Sequence, residues 1–277
     1  MSKGVLLFAY NNESIDYVKQ ANFLASRISK YLDLPTSIVT DVDIVAKYPN
    51  YVENFDKIIF LSSETLSTKR YQDGALYKTK LNFKNAGREM SYELSPYEET
   101  LVMDTDYIIA SNTLSNCFVQ HKDLLLYKDA VHLGIYSDTP EFKTISDTSV
   151  DFYWATVIFF RKTELNKIFF DLVKHIKENY WHYRSVFQFS NTTYRNDFAF
   201  SIAAHIMNGY QQGNFVGKMP GTKFYTIDRD VLVDITDNTF KFLVEKENRL
   251  GEYTLAQIKD NDIHIMNKFS LERCIDD

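Results

Sequence analysis

The segment EETLVMDTDYIIASN, residues 98–112, places Asp104-Thr105-Asp106 between two apolar runs. Leu101-Val102-Met103 reads as a strand entering the core, and Tyr107-Ile108-Ile109 continues it. Two carboxylates in such a position need partners, because an unpaired buried carboxylate costs several kcal/mol, roughly. A divalent cation is one partner. Carboxylates suit hard ions such as Mg²⁺ and Mn²⁺, which are often shared with substrate phosphates. The other reading is a strand-end turn whose aspartates accept backbone hydrogen bonds. Asp-x-Asp also occurs at Asp41–Asp43, Asp228–Asp230 and Asp260–Asp262. Only the pair at 104 and 106 lies directly between two strand-like runs.

The elements that must position this pair follow from periodicity. Gly4 to Tyr10, GVLLFAY, is continuously apolar and predicts a strand buried on both faces. Ile15, Val18, Ala21, Ala25, Ile28 and Leu32 then recur at helical spacing, with Asn11 or Asn12 as the candidate cap and Pro35 beyond the end. Thr36 to Asp41 and Lys57 to Leu61 predict two further strands, giving a βαβ opening. Ligands of such sheets sit beyond the carboxyl ends of the strands, where Tyr10, Asn11, Asn12 and Asp41 fall. Residues 75–94 are expected to be helical, 150–161 a long aromatic strand, and 162–180 and 196–208 helices, the last stopped by Gly209. Short strands are expected at 223–227, 241–245 and 262–266. No shift in composition marks a boundary, which predicts one domain over 1–277, with a nucleotide half to about residue 110 and an acceptor half from about 111.

The formal charge of −6 argues against a protein that coats nucleic acid by bulk attraction, while leaving local basic patches open. Two cysteines, Cys117 and Cys274, form no disulfide framework and fit a reducing, cytoplasmic setting. The N-terminal apolar run is too short for a signal peptide, and no later run approaches a membrane span. No protein partner is inferred.

The order of segments carries a resemblance. The βαβ opening, LVMDTDYII, YWATVIFFRKTEL, RNDFAFSIAAHI and IHIMNK together resemble the retaining, metal-dependent glycosyltransferases of glycogenin and galactosyltransferase type. The resemblance runs from about residue 4 to 268. It implies a GT-A (nucleotide-diphospho-sugar transferase) fold, an α/β Rossmann-like mixed sheet flanked by helices. It implies a UDP-sugar donor and a Mn²⁺ or Mg²⁺ ion held by Asp104, Asp106 and His264. Lys268 would contact the diphosphate, although His264-Ile265-Met266-Asn267-Lys268 is shorter than the family pattern and lacks its glycine. Tyr10, Asn11, Asn12 and Asp41 would meet the nucleoside. Lys80 and Arg88, on the helix expected before the aspartates, would face donor sugar or phosphate, together with Thr105, Trp154 and Thr156. Asp197 would orient the donor sugar or support its developing charge; the bland reading is a carboxylate serving the helix dipole. Retention without an evident enzyme nucleophile implies a front-face route, in which the leaving phosphate accepts the acceptor's proton.

For the acceptor, residues 66–90 carry six basic and two acidic side chains. Residues 174–195 interleave Lys174, Lys177, Arg184 and Arg195 with Tyr180, Trp181, Tyr183, Phe187, Phe189 and Tyr194. Such rings stack on bases, hold a sugar face, or simply fill a core. The general character and the KGVLLFAYNNE opening resemble the phage glycosyltransferases that decorate hydroxymethylcytosine in DNA, including the T-even type that adds a second glucose. That implies modified DNA as the acceptor. A surface glycan or lipopolysaccharide is the alternative acceptor, and a non-catalytic nucleic-acid-binding module the alternative of another class. A sugar nucleotidyltransferase would need a Gly-rich phosphate loop, which YNNES does not supply.

Overall fold

Val5, Leu6 and Leu7 are fully buried, as a strand covered on both faces requires. The computed structural model describes residues 1–62, 66–72, 78–84, 87–134, 143–145, 150–189, 194–246 and 249–276, with 66–72 and 78–84 described through their backbone. Strand β1 (Lys3–Phe8) leads through α1 (Tyr17–Leu32) to β2 (Thr36–Thr40). The single turn α2 (Ile44–Lys47) precedes β3 (Lys57–Phe60). A hairpin of β4 (Leu66–Gln72) and β5 (Lys78–Lys84) precedes the short α3 (Ser91–Leu94). Strands β6 (Glu99–Met103) and β7 (Tyr107–Ile108) flank the two aspartates. Next come β8 (Leu124–Tyr127), β9 (Ala130–His132), β10 (Trp154–Arg161), α4 (Glu164–Glu178), α5 (Tyr180–Val186) and α6 (Asn196–Met207). The remaining elements are β11 (Gly217–Lys218), β12 (Lys223–Thr226), β13 (Val231–Thr236), β14 (Thr239–Glu245), β15 (Tyr253–Lys259), β16 (Ile263–Ile265) and α7 (Lys268–Asp276).

The main sheet has seven strands in the order β11-β8-β10-β6-β1-β2-β3. Strands β3, β2, β1 and β6 run parallel, and β10 lies antiparallel between β6 and β8. Trp154 at the start of β10 and Tyr127 at the end of β8 therefore lie at the same edge as the carboxyl ends of β1, β2 and β6. A second sheet, β7-β16-β12-β9, takes over from that edge, and β13, β14 and β15 form an antiparallel meander. This is a mixed α/β arrangement with a parallel-rich sheet, packed by α1 against β1 and β2 and by α6 against β10.

Two expectations change. The helix expected over 75–94 is not found among its described residues: 78–84 pair in register with 66–72, and of the described residues only Arg88–Met90 (a 3-10 turn) and α3 are helical. Thr79, Leu81 and Phe83 alternate with polar residues, a period of two, and Gly87 at φ 94° ends any helical run. Lys80 thus lies on a strand of a hairpin. The cap of α1 is Asp16, which accepts from Lys19 N–H, whereas Asn12 Oδ1 accepts from Ser14 and Ile15 N–H in the preceding turn.

Arg27 ties the layers together. From α1 its buried guanidinium donates to the Ile109 carbonyl after β7 and, at 2.8 Å, to the Asp237 carbonyl between β13 and β14. It lies over the rings of Phe23, Tyr31 and Phe240 at 5.6, 5.2 and 5.4 Å. Removing it orphans two carbonyls and empties a ring-lined space. Arg27→Ala is expected to lower unfolding stability by about 2–4 kcal/mol. Arg27→Lys should recover only part of that, because an ammonium lacks the planar fork. Urea unfolding monitored by circular dichroism measures both.

Candidate active site

The turn between β6 and β7 is fixed by its backbone. Asp104 N–H donates to the Thr156 carbonyl on β10 at 2.9 Å, and Tyr107 N–H closes the turn on the Asp104 carbonyl at 3.0 Å. Ile265 N–H on β16 donates to the Asp106 carbonyl at 2.8 Å. Thr105 is buried, its hydroxyl 3.4 Å from Gln20 Oε1 on α1, and so serves packing. Asp104 and Asp106 converge instead with His264 of β16, and one ligand atom from each lies within 4.8 Å of the others. Two carboxylate oxygens and one imidazole nitrogen form a donor set that suits Mn²⁺ or Mg²⁺. By contrast, Asp43 caps α2 through Ala46 N–H, and Asp262 accepts from Ala110 and Ser111 N–H. For those pairs the turn-and-cap reading holds.

Cations surround the corner. Lys268 Nζ lies 2.5 Å from Asp106 Oδ2, His264 Nε2 lies 3.4 Å from Asp106 Oδ1, and Arg88 pairs with Asp104. Burial opposes ionisation of Asp106, yet Lys268 and His264 outweigh it and hold the carboxyl well below its usual range. Burial, then the charge of Lys223, lowers His264 to about 4, which leaves it neutral at pH 7, the form that ligates metal. Lys223, at the start of β12, is fully buried, with Nζ 3.1 Å from His264 Nδ1 and 4.4 Å from the centre of the Trp154 ring. Burial brings its ammonium down to about 7, against the pull of Asp197 and Asp106.

Asp197, in the first turn of α6, accepts from Ala155 N–H at 2.8 Å and pairs with Arg195 Nη2 at 2.7 Å. Burial opposes its ionisation, but Arg195 and the Ala155 N–H outweigh it and lower the carboxyl's pKa. Arg88 Nη1 approaches the Ala155 carbonyl at 3.5 Å, linking this carboxylate's neighbourhood to the metal corner. Tyr10 is 5% exposed, and its hydroxyl has no hydrogen-bond partner among the described residues. A β-carbon at Gly87 would lie 2.6 Å from Phe8 Cε1 and 3.1 Å from that hydroxyl, so a glycine is needed for the backbone to pack this close to both rings. An orphaned buried hydroxyl beyond β1 suits a bound nucleoside. Asp41 lies half-buried beyond β2.

The structure thus gathers Arg88, Asp104, Asp106, Trp154, Asp197, His264 and Lys268. Thr156 contributes its carbonyl to the turn. Asn11 is occupied by Asp16, Tyr48 and Val18 N–H in the loop before α1. The side chain of Lys80 lies outside the described residues. Sequence reading missed Lys223 and Arg195 as members of the site. The available signal for Lys223 was a charged residue opening a short apolar strand, KFYTI. Of the acceptor-side rings, Tyr180, Phe187 and Phe189 are buried, whereas Trp181 is 62% exposed with the Arg184 guanidinium 5.2 Å over it.

No protein-family model matches the chain, and no curated protein matches its sequence. Solved structures overlap with it in part. The galactosyltransferase LgtC in complex with donor and acceptor sugar analogues aligns at 10% identity and a TM-score of 0.46, over 73% of this chain and 70% of LgtC. The glycosyltransferase GlyE of Streptococcus pneumoniae aligns at 10% and 0.39, over 73% of this chain and 43% of its own. TarS of S. aureus, residues 1–349, aligns at 19% and 0.36, over 62% and 50%. The chain spans half or less of the GlyE and TarS chains.

Asp104→Asn and Asp106→Asn should each weaken Mn²⁺ binding by at least about 100-fold in calorimetric titration, with little loss of secondary structure. Lys223 gives a pH signature in chelator. Its folded pKa of about 7 lies below the ordinary 10.5, so the native state binds fewer protons than the unfolded chain across that window, and the parent gains stability as pH rises. Lys223→Met loses that dependence. Its melting temperature relative to the parent should be highest below pH 7 and fall steadily towards pH 10.5.

Proposed function

We propose that this chain is a metal-dependent glycosyltransferase that moves a sugar, glucose foremost, from a UDP-sugar to a hydroxyl on hydroxymethylated or already glucosylated cytosine in DNA. The observation that carries the reading is the convergence of Asp104, Asp106 and a neutral His264 within 4.8 Å, beside the buried Lys268 and the half-buried Arg88. These three residues would hold Mn²⁺ or Mg²⁺, which supplies Lewis-acid stabilisation of a leaving diphosphate. Lys268 and Arg88 now neutralise the two carboxylates. Lys268 and Arg88 are the residues that would contact phosphate oxygens and favour departure of the diphosphate. Tyr10 and Asp41, beyond β1 and β2, would meet the nucleoside. Asp197, fixed by Ala155 N–H and Arg195, would hold a hydroxyl of the donor sugar. The family resemblance favours retention of configuration. The exposed Trp181 with its stacked Arg184 supports a nucleic-acid acceptor, because a ring and a guanidinium suit a base and a phosphate.

UDP release should appear with UDP-glucose and Mn²⁺, stop in EDTA, and vanish in Asp104→Asn. Release that survives chelation overturns the metal role. A panel of unmodified, hydroxymethylated and glucosylated DNA duplexes, with a free oligosaccharide, identifies the acceptor. Labelled sugar is expected on modified DNA, and label confined to the oligosaccharide overturns the acceptor half of the reading.

A further inference from the structure

The hairpin of β4 and β5 is a sheet of its own, and neither strand pairs with another strand among the described residues. Its register sets Arg70 opposite Lys80 and Gln72 opposite Lys78. Opposed residues share a face, and neighbours along a strand alternate between faces. One face therefore holds Arg70, Lys78, Lys80 and Lys84, interspersed with Gln72 and Asn82. The other holds Tyr71, Leu81 and Phe83, with Lys69 as its one cation. The two strands carry five basic residues and no acidic one, in a chain of net charge −6. Four of the five cations thus share a face, which is costly to bury and suits water or a polyanion. The direct opposition of Arg70 and Lys80 weakens a free hairpin, a cost that an anionic ligand offsets.

Both roots of the hairpin lie at the ligand edge of the main sheet. The chain leaves that edge at the carboxyl end of β3, where Leu61 N–H donates to the Thr40 carbonyl at 2.9 Å. It returns at Gly87, whose backbone packs close to the rings of Phe8 and Tyr10, and at Arg88, which pairs with Asp104. Lys84 is four residues before Arg88, and so within roughly 14 Å of it. Two strands about 4.8 Å apart make a ribbon that fits the major groove of B-DNA, which is about 12 Å wide. Each strand has seven residues. That length spans roughly 20 Å, or about six base-pair steps. Arginine, lysine, glutamine and asparagine are the side chains that meet the phosphates and base edges of that groove. The 5-position of cytosine opens into the same groove, so a ribbon seated there holds a hydroxymethyl or glucosyl group on the side of the donor corner.

We propose that the β4–β5 hairpin is a duplex-DNA-docking ribbon, whose face of Arg70, Lys78, Lys80 and Lys84 enters the major groove beside the modified base. This rests on the reading of modified DNA as acceptor, and adds the docking element and the groove. The test is anisotropy titration of the full chain against a fluorescent duplex carrying glucosylated hydroxymethylcytosine, over a series of KCl concentrations. Arg70→Gln and Lys78→Gln should each lower the slope of log affinity against log salt by about 0.9, one phosphate contact apiece. Together they should weaken binding at least about ten-fold at about 0.15 M salt. Lys69→Gln removes the same charge from the opposite face and should leave the slope unaltered. An equal loss in Lys69→Gln, an unaltered slope in the double variant, or equal affinity for the duplex and its single strand overturns the proposal. Binding to anionic phospholipid vesicles in place of DNA overturns it as well. UDP release from UDP-glucose with Mn²⁺ is read in parallel. Binding that depends on the ribbon face without UDP release overturns the glycosyltransferase reading and leaves the ribbon standing; UDP release with DNA binding indifferent to that face does the reverse.

Discussion

Two carboxylates held in a buried turn must be compensated, and most of the architecture at this end of the molecule does so. The turn is closed by the Tyr107 N–H to Asp104 carbonyl bond and anchored on both sides, to Thr156 of the main sheet and Ile265 of the second. It is therefore the point where the two sheets are joined as well as the point where charge accumulates. The pairing of β7 with β16 sets Tyr107 opposite His264. Side chains alternate along a strand, so a shift of one residue would turn His264 away from Asp106. The convergence of Asp104, Asp106 and His264 is thus a product of register: it exists only if a two-residue strand finds one partner position.

Charge is balanced almost pair by pair. Asp106 faces Lys268, Asp104 faces Arg88, and Asp197 faces Arg195. Lys223 is the exception, with a neutral imidazole and the face of Trp154 in place of a carboxylate among the described residues. The ring quadrupole offsets part of the cost of burying that ammonium, and the rest appears as its lowered pKa. A site built this way holds three carboxylates and their cations within one corner of the fold. It also explains why His264, next to so many positive charges, stays neutral.

The sequence was informative where elements are long and local. Strand β1, helix α1, strand β10 and helices α4 and α6 each carry enough residues for a period to register, and Gly209 at φ 72° ends α6 where expected. It announced β7, β12 and β16 as strands but not their union in one sheet, and it did not announce β9 and β11, three and two residues long. Such strands owe their existence to distant partners, so local propensity says little about them. The site divides the same way. Asp104 and Asp106 stand out because polar residues interrupt an apolar run. His264 was reached through the order of motifs shared with a known family. Lys223 and Arg195 required the second sheet to be assembled first. The helix expected over 75–94 failed where the alternation of Thr79, Leu81 and Phe83, a period of two, favoured a strand.

The abundance of rings has a structural use that composition alone would not assign. Phe160 on β10, Phe169 and Phe170 on α4 and Phe200 on α6 form an interlocked group, with ring centres at 4.8 Å (Phe160–Phe170), 5.5 Å (Phe169–Phe170), 5.7 Å (Phe169–Phe200) and 5.9 Å (Phe170–Phe200). Edge-to-face contacts of this kind constrain angle as well as separation. They fix α6 against the sheet three residues after Asp197. Ser201 completes the attachment, its hydroxyl accepting from Tyr153 N–H at 2.7 Å and donating to the Asp197 carbonyl at 2.6 Å. Asp197 is therefore aimed by apolar packing one turn away, and its carboxylate is then trimmed into place by Ala155 and Arg195. The aromatic core and the charged site form one construction: rings supply the rigidity that lets buried charges keep their partners, and those charges need that rigidity because a slack site would leave them unpaired.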